Sequence, residues 1–194
     1  HGGSDTEILL TCIEKWGLKK SLDKINGMFA FALWDKEKKV LFLARDRMGQ
    51  KPLYYGKAEN DFIFSSELKS LDPYPQFKKD IDRQALSLYF KYNYIPTPYS
   101  IYKRIKKLSP GTYIKVDQKG NVSPEIPFWE TKTAATDGLK NSFLKPEEAT
   151  KELEKTLKEV ISEQMITDVP FGAFLSGGID SSLIVSLMQS VSTG

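Results

Sequence analysis

Seven consecutive residues near the end of the chain, Ser176-Gly177-Gly178-Ile179-Asp180-Ser181-Ser182, have the types and the order to hold a phosphate. The run Val169-Pro170-Phe171-Gly172-Ala173-Phe174-Leu175 before them reads as a buried strand. Leu183, Ile184, Leu187 and Met188 follow at the spacing of one buried helix face. The pattern is strand, glycine turn and helix start. Gly177 and Gly178 let the backbone approach a ligand closely. The unpaired N–H groups of the helix's first turn, at the positive end of its dipole, make a seat for an anion. Ser176, Ser181 and Ser182 add hydroxyl donors. Asp180 is the anomaly, because a carboxylate beside a phosphate repels it unless a cation lies between. Mg²⁺ suits that place, since it binds through one or two carboxylates together with substrate phosphates.

Two common phosphate loops are excluded. A Walker A loop carries lysine after its last glycine, where Ile179 and Asp180 stand. A dinucleotide fingerprint needs three spaced glycines. The order Ser-Gly-Gly-x-Asp-Ser resembles instead the pyrophosphate-binding loop of ATP pyrophosphatases, which split ATP between its α and β phosphates and adenylate an acceptor. A plain Gly-Gly turn with Asp180 as helix cap is the competing reading. It does not account for strand, motif and helix arriving in the order a nucleotide site requires.

The elements ahead of the loop must build its support. Ser4, with Glu7 three residues later, marks a helix start of capping-box type. Ile8, Leu9, Cys12, Ile13 and Trp16 then form one apolar face, ending at Gly17. A short helix is expected over residues 21–25. Residues 28–34 and 40–44 read as strands joined by a polar turn, and both faces are apolar: Met28, Ala30 and Ala32 on one, Phe29, Phe31 and Leu33 on the other. A sheet of that kind is covered on both sides. A second hairpin follows over residues 52–56 and 62–66, then a short helix at 67–71. Asp82 caps a helix whose apolar face is Leu86, Tyr89 and Phe90; residues 112–116 are a strand. Residues 130–143 are polar and read as an interdomain linker. Pro146 opens a helix with the stripe Leu153, Leu157, Val160, Ile161 and Met165, leading to Asp168.

Several stretches in one order now point the same way. They are Ser4-Asp5-Thr6-Glu7, Asn26-Gly27-Met28-Phe29-Ala30-Phe31-Ala32, the run from Arg45 to Tyr55, Ser65-Ser66-Glu67-Leu68-Lys69 and the serine-glycine loop. Together they resemble the glutamine-hydrolysing asparagine synthetases of bacterial and archaeal type. The resemblance implies an α/β protein. Residues 1–128 would be the C-terminal part of a class II glutaminase, an α+β, four-layer αββα sandwich. Residues 129–146 would be a linker, and residues 147–194 the start of an ATP-pyrophosphatase domain. It implies that Asp5 holds the α-ammonium of glutamine, as an acceptor-only carboxylate suits a three-donor ammonium. Phe174, Leu175, Ser176, Gly177, Gly178, Ser181 and Ser182 would bind ATP and its pyrophosphate, with Asp180 on Mg²⁺. The family's nucleophilic cysteine lies at the mature N-terminus and is expected upstream of His1, so no residue here is assigned as catalytic. The implied reaction adenylates aspartate with ATP. Ammonia from glutamine, carried through an internal tunnel, then displaces AMP.

Bulk properties fit. No apolar run is long enough for a membrane span and no signal peptide is visible, so a cytoplasmic protein is expected, with a homodimer open. The single cysteine excludes an internal disulfide framework. Cys12 lies on an apolar face and reads as a small core residue. The single histidine, His1, excludes a histidine-based metal site or triad inside the chain. The basic stretch 103–107 reads as a solvated face, so no nucleic acid is expected. For Arg45, Asp46 and Arg47 two readings stay open, structural ion pairs or contacts at a domain interface. Two other readings remain beside the synthetase: a related amide-transferring or β-lactam-forming enzyme with another carboxylate acceptor, and a non-catalytic scaffold of the same fold.

Overall fold

The computed structural model describes residues 3–143, 145–167 and 169–192. His1 and Asp168, both singled out above, lie outside them. The chain divides into two compact units, His1–Thr136 and Asp137–Gly194.

Unit 1 opens with α1 (Asp5–Trp16) and α2 (Leu18–Lys24). The Ser4 hydroxyl accepts from the Glu7 amide at 3.3 Å, as its sequence position requires. Seven strands follow: β1 (Ala30–Asp35), β2 (Val40–Arg45), β3 (Tyr54–Ala58), β4 (Asp61–Ser65), β5 (Ile105–Lys107), β6 (Thr112–Val116) and β7 (Ile126–Pro127). One sheet has the order β1-β2-β6-β7 and the other β4-β3-β5, with every named pairing antiparallel.

Alternation along the strands builds the layers. Leu43, Ile114 and Val116 of the first sheet share a core cluster with Leu53, Tyr55 and Leu108, which come from or flank the second. On the first sheet's other face, Ala44 and Tyr113 pack with Leu22 of α2. On the second sheet's other face, Ala58, Ile63 and Ile105 pack with Leu71, the end of a single 3₁₀ turn, Leu68–Leu71. The result is helix, sheet, sheet and a thin outer layer of 3₁₀ turn and loop. That is why both strand faces are apolar. Leu22, Leu43 and Ile114 are completely buried, and each contributes about 1.5–3 kcal/mol.

Two expected helix faces are not buried. Those of α1 and α3 (Arg83–Tyr92) stay open: Ile8 is 62% and Phe90 75% exposed. Asp82 caps α3 as expected, accepting from Gln84 and Ala85, yet only Ala85 of that helix is buried. Amphipathic spacing predicts which side of a helix is apolar, and it does not supply the surface that covers that side.

The polar stretch 130–143 holds a helix, α4 (Thr131–Lys140), with no buried residue. Ala134, Ala135, Leu139 and the lysines favour a helix, against Thr131, Thr133, Thr136 and Gly138; local bonds from Thr133 to Glu130 and from Thr136 to Lys132 O, with the Lys140–Asp137 ion pair, add to it.

In unit 2, α5 (Pro146–Gln164) and α6 (Ile179–Val191) pack on each other, with Ile161 and Leu187 buried. Of the expected α6 face only Leu187 is well covered; Leu183 and Ile184 are exposed. The expected strand over residues 169–175 is absent. The segment is without regular structure, and Phe174 is fully exposed. A buried strand requires neighbouring strands to satisfy its amides and carbonyls, and among the described residues unit 2 contains none.

Candidate functional site

Asp5 sits in the first turn of α1, where the local sequence places a carboxylate beside free amides. Its Oδ1 accepts from the Thr6 amide at 2.7 Å. The residue lines a cavity of about 900 Å³, walled by α1, the segment entering β1, and the turn after β4. The α1 face expected in the core, with Ile8, Leu9 and Cys12, forms an apolar wall of this cavity instead. Cys12 is therefore half-buried beside an open space and not in a packed core. Asn26, Gly27, Lys51, Ser66 and Glu67 supply the polar lining. Sequence reasoning assigned none of these a role. The signal was available, since all belong to the ordered stretches that carry the family resemblance.

The loop after β2 fixes one wall. Asp46 is 1% exposed, and its two carboxylate oxygens accept from the amides of Gln50 and Lys51, each at 2.9 Å. Its own amide donates to Phe29 O at 2.9 Å, tying the loop to the cavity's floor. Arg45 donates to three backbone carbonyls: Nε to Lys51 at 2.8 Å, Nη1 to Leu108 at 2.7 Å and Nη2 to Gly49 at 2.6 Å. Burial pushes its pKa down from the ordinary arginine value, opposed by the neighbouring Asp46 carboxylate. Gly49 has φ +65° and lies so close to the ring of Pro110 that a Cβ would stand 2.8 Å from it. Arg47 Nη2 caps Asp23 O at 2.9 Å. Arg45 and Asp46 are thus structural groups that shape the turn bringing Lys51 and Pro52 to the cavity, and their partners are backbone groups.

The second site lies in unit 2. Gly177 takes φ +80°, a conformation that favours glycine, and no side chain caps α6 at Gly178. Asp180 is accordingly not the cap, and the first amides of α6 have no intrahelical acceptor. Ser176 Oγ and Ser181 Oγ are bonded to each other at 2.9 Å, and Ser181 Oγ also donates to Gly178 O at 3.1 Å. These two hydroxyls brace the turn, so a ligand would have to draw them away. Ser176, Gly177 and Gly178 form the turn before α6, and Asp180, Ser181 and Ser182 follow in the helix's first turn; the Phe174 and Leu175 side chains are exposed to solvent. Among the described residues no group of three or more acidic, histidine or cysteine side chains forms a metal cage. Mg²⁺ does not need one, because it retains waters and shares phosphate oxygens, so a lone Asp180 fits.

Residues 1–129 match the glutamine amidotransferase domain family, and residues 152–194 match asparagine synthase. The chain belongs to the glutamine amidotransferase domain family. Its similar relatives include a putative glutamine-hydrolysing asparagine synthetase 2 of Methanocaldococcus jannaschii. That protein is 38% identical over 189 residues, spanning 96% of this chain and 35% of the relative. Asparagine synthetase 3 of Bacillus subtilis is 34% identical, across 95% of this chain and 29% of the relative. The amidase chyE of Penicillium rubens is 28% identical, across 96% and 27%. The chain spans about a third of the length of these relatives. No helix among the described residues is long and apolar enough to cross a membrane.

Proposed function

We propose that this chain is part of a cytoplasmic, glutamine-dependent asparagine synthetase. In unit 1, Asp5 holds the α-ammonium of glutamine at the mouth of the cavity, a charge-assisted contact that fixes the substrate's orientation. Hydrolysis of the side-chain amide there yields glutamate and ammonia. In unit 2, the first-turn amides of α6 and the Ser176–Ser182 loop cradle the β and γ phosphates of ATP. The side-chain carboxylate of aspartate attacks the α-phosphorus, the bond to the bridging oxygen breaks, and pyrophosphate leaves. Ammonia then displaces AMP from the mixed anhydride and gives asparagine. Fixed donors meeting the charge that builds on the leaving group are the loop's contribution to rate. When Mg²⁺ is bound, Asp180 would be its ligand, and the ion would neutralise phosphate charge.

The observation that carries this reading is the pairing of an Asp5-lined cavity in a glutamine amidotransferase domain with a serine-glycine loop whose helix start lacks a cap. Aspartate-dependent exchange of labelled pyrophosphate into ATP by the full-length protein tests it. Exchange with aspartate supports the synthetase. Exchange only with another carboxylate would favour a related enzyme, a reading to which the similarity with a fungal amidase lends weight. No exchange with any carboxylate, at saturating ATP and Mg²⁺, contradicts both.

A further inference from the structure

A small cavity of unit 1 is among those that belong to neither site. It encloses about 170 Å³ beside the start of β3 and is lined by Arg45, Tyr54, Tyr94, Ile95, Thr97 and Lys107, among others. Lys107 closes the basic stretch 103–107. Its neighbours Lys103, Arg104 and Lys106 are exposed, but Lys107 is drawn inward because it pairs with Tyr54 across β3 and β5. Its Nζ donates to Ile95 O at 2.5 Å, which leaves two of the three ammonium donors unspent. The Tyr54 hydroxyl has no partner among the described residues. Among the described residues no carboxylate lines this cavity. The nearest acid in sequence, Asp46, has both oxygens committed to the Gln50 and Lys51 amides.

Two partly buried cations therefore face one small space without an anion. Burial, and then the charge of Arg45, push Lys107 below the ordinary lysine range; burial raises Tyr54. Buried charges are normally paired, since an unpaired one loses its hydration without replacement. We propose that this cavity is a seat for one oxyanion, held by the Lys107 ammonium and the Tyr54 hydroxyl in the positive field of Arg45. Its size admits a carboxylate group or a single phosphate and excludes a nucleotide. The anion is either free in solution or a carboxylate side chain from elsewhere in the full-length protein.

The test is the acetylation rate of Lys107 in the full-length protein, mapped by mass spectrometry, with exposed Lys106 as internal reference. A free-anion seat predicts that inorganic phosphate slows Lys107 saturably, about tenfold at roughly ten times its dissociation constant, and leaves Lys106 unchanged. Phosphate should also raise the melting temperature of the natural protein and of Lys107→Arg, but not of Lys107→Met. A seat filled by the protein's own carboxylate predicts that Lys107 is slow at the outset and indifferent to phosphate. A carbodiimide should then couple Lys107 to that carboxylate in a zero-length crosslink. If Lys107 is modified as fast as Lys106 with or without phosphate, and no crosslink forms, the cavity holds only water and the proposal fails.

Discussion

Replacing Arg45 with methionine isolates the group that shapes the candidate glutamine site from behind. Methionine keeps most of the stem's packing and removes all three donors. The carbonyls of Gly49 and Lys51 lie on a loop that can turn to water, so each loses about 1 kcal/mol, the net value of an ordinary hydrogen bond. Leu108 is wholly buried, and its carbonyl cannot reach solvent without opening the core. Leaving it unsatisfied costs about 2–3 kcal/mol. The sum is about 4–5 kcal/mol. Hydrogen exchange of the β2–β6 ladder amides reads this in unit 1 alone, and urea unfolding should shift its midpoint by about 2 M. The same change loosens the turn carrying Lys51 and Pro52, so the KM for glutamine should rise while ammonia-dependent synthesis is kept. Arg45→Lys, with one compact cation, should recover only part of the loss. A cost below about 1 kcal/mol, or full recovery by lysine, would refute the three-carbonyl account.

Asp5→Asn should raise the KM for glutamine about 10–100-fold, the worth of one charge-assisted hydrogen bond, with ammonia-dependent synthesis intact; an unchanged KM would leave Asp5 as a helix-end residue only. Asp180→Ala in the full-length protein should abolish pyrophosphate exchange and spare glutamine hydrolysis, whereas equal loss of both would indicate a structural role. Tyr55 is pushed up to about 12 by burial and by the Glu125 carboxylate that its hydroxyl contacts. Its folded pKa lies above the unfolded value of about 10, so its contribution to stability is complete below pH ~10 and is lost as pH rises toward ~12. Phenolate absorbance and unfolding free energy, followed together through that window, should show a steeper decline in the natural protein than in Tyr55→Phe. Gly56→Ala should disrupt the second sheet, because its Cβ would stand 1.9 Å from Arg104 O; unaltered exchange protection along the β3–β5 ladder would contradict this.

The sheets of unit 1 were legible because period-two alternation, apolar on both faces, permits only a doubly covered sheet. Ser4 and Asp82 marked helix starts that are found within a residue. What failed was burial. The faces of α1 and α3 and the run Val169 to Leu175 carry the composition of packed elements, yet composition does not say what packs on them. For α1 the answer is a cavity, whose apolar wall includes Cys12, and periodicity alone could not reveal it. For Arg45 and Asp46 the sequence left open structural ion pairs or contacts at a domain interface, because adjacent charges suit either. Their partners are backbone groups brought near by the fold, and no sequence spacing encodes those. Asp5 could be singled out only through the family stretches around it; an acid in a first helical turn is too common to stand out.

The central claim is that amide nitrogen leaves glutamine in one unit and joins an adenylated aspartate made in the other. The direct measurement supplies the full-length protein with glutamine labelled at its amide nitrogen, aspartate, ATP and Mg²⁺, and follows the label by mass spectrometry. The account predicts labelled asparagine formed in step with AMP and pyrophosphate. Label recovered only as free ammonia, with no asparagine and no AMP, would contradict it.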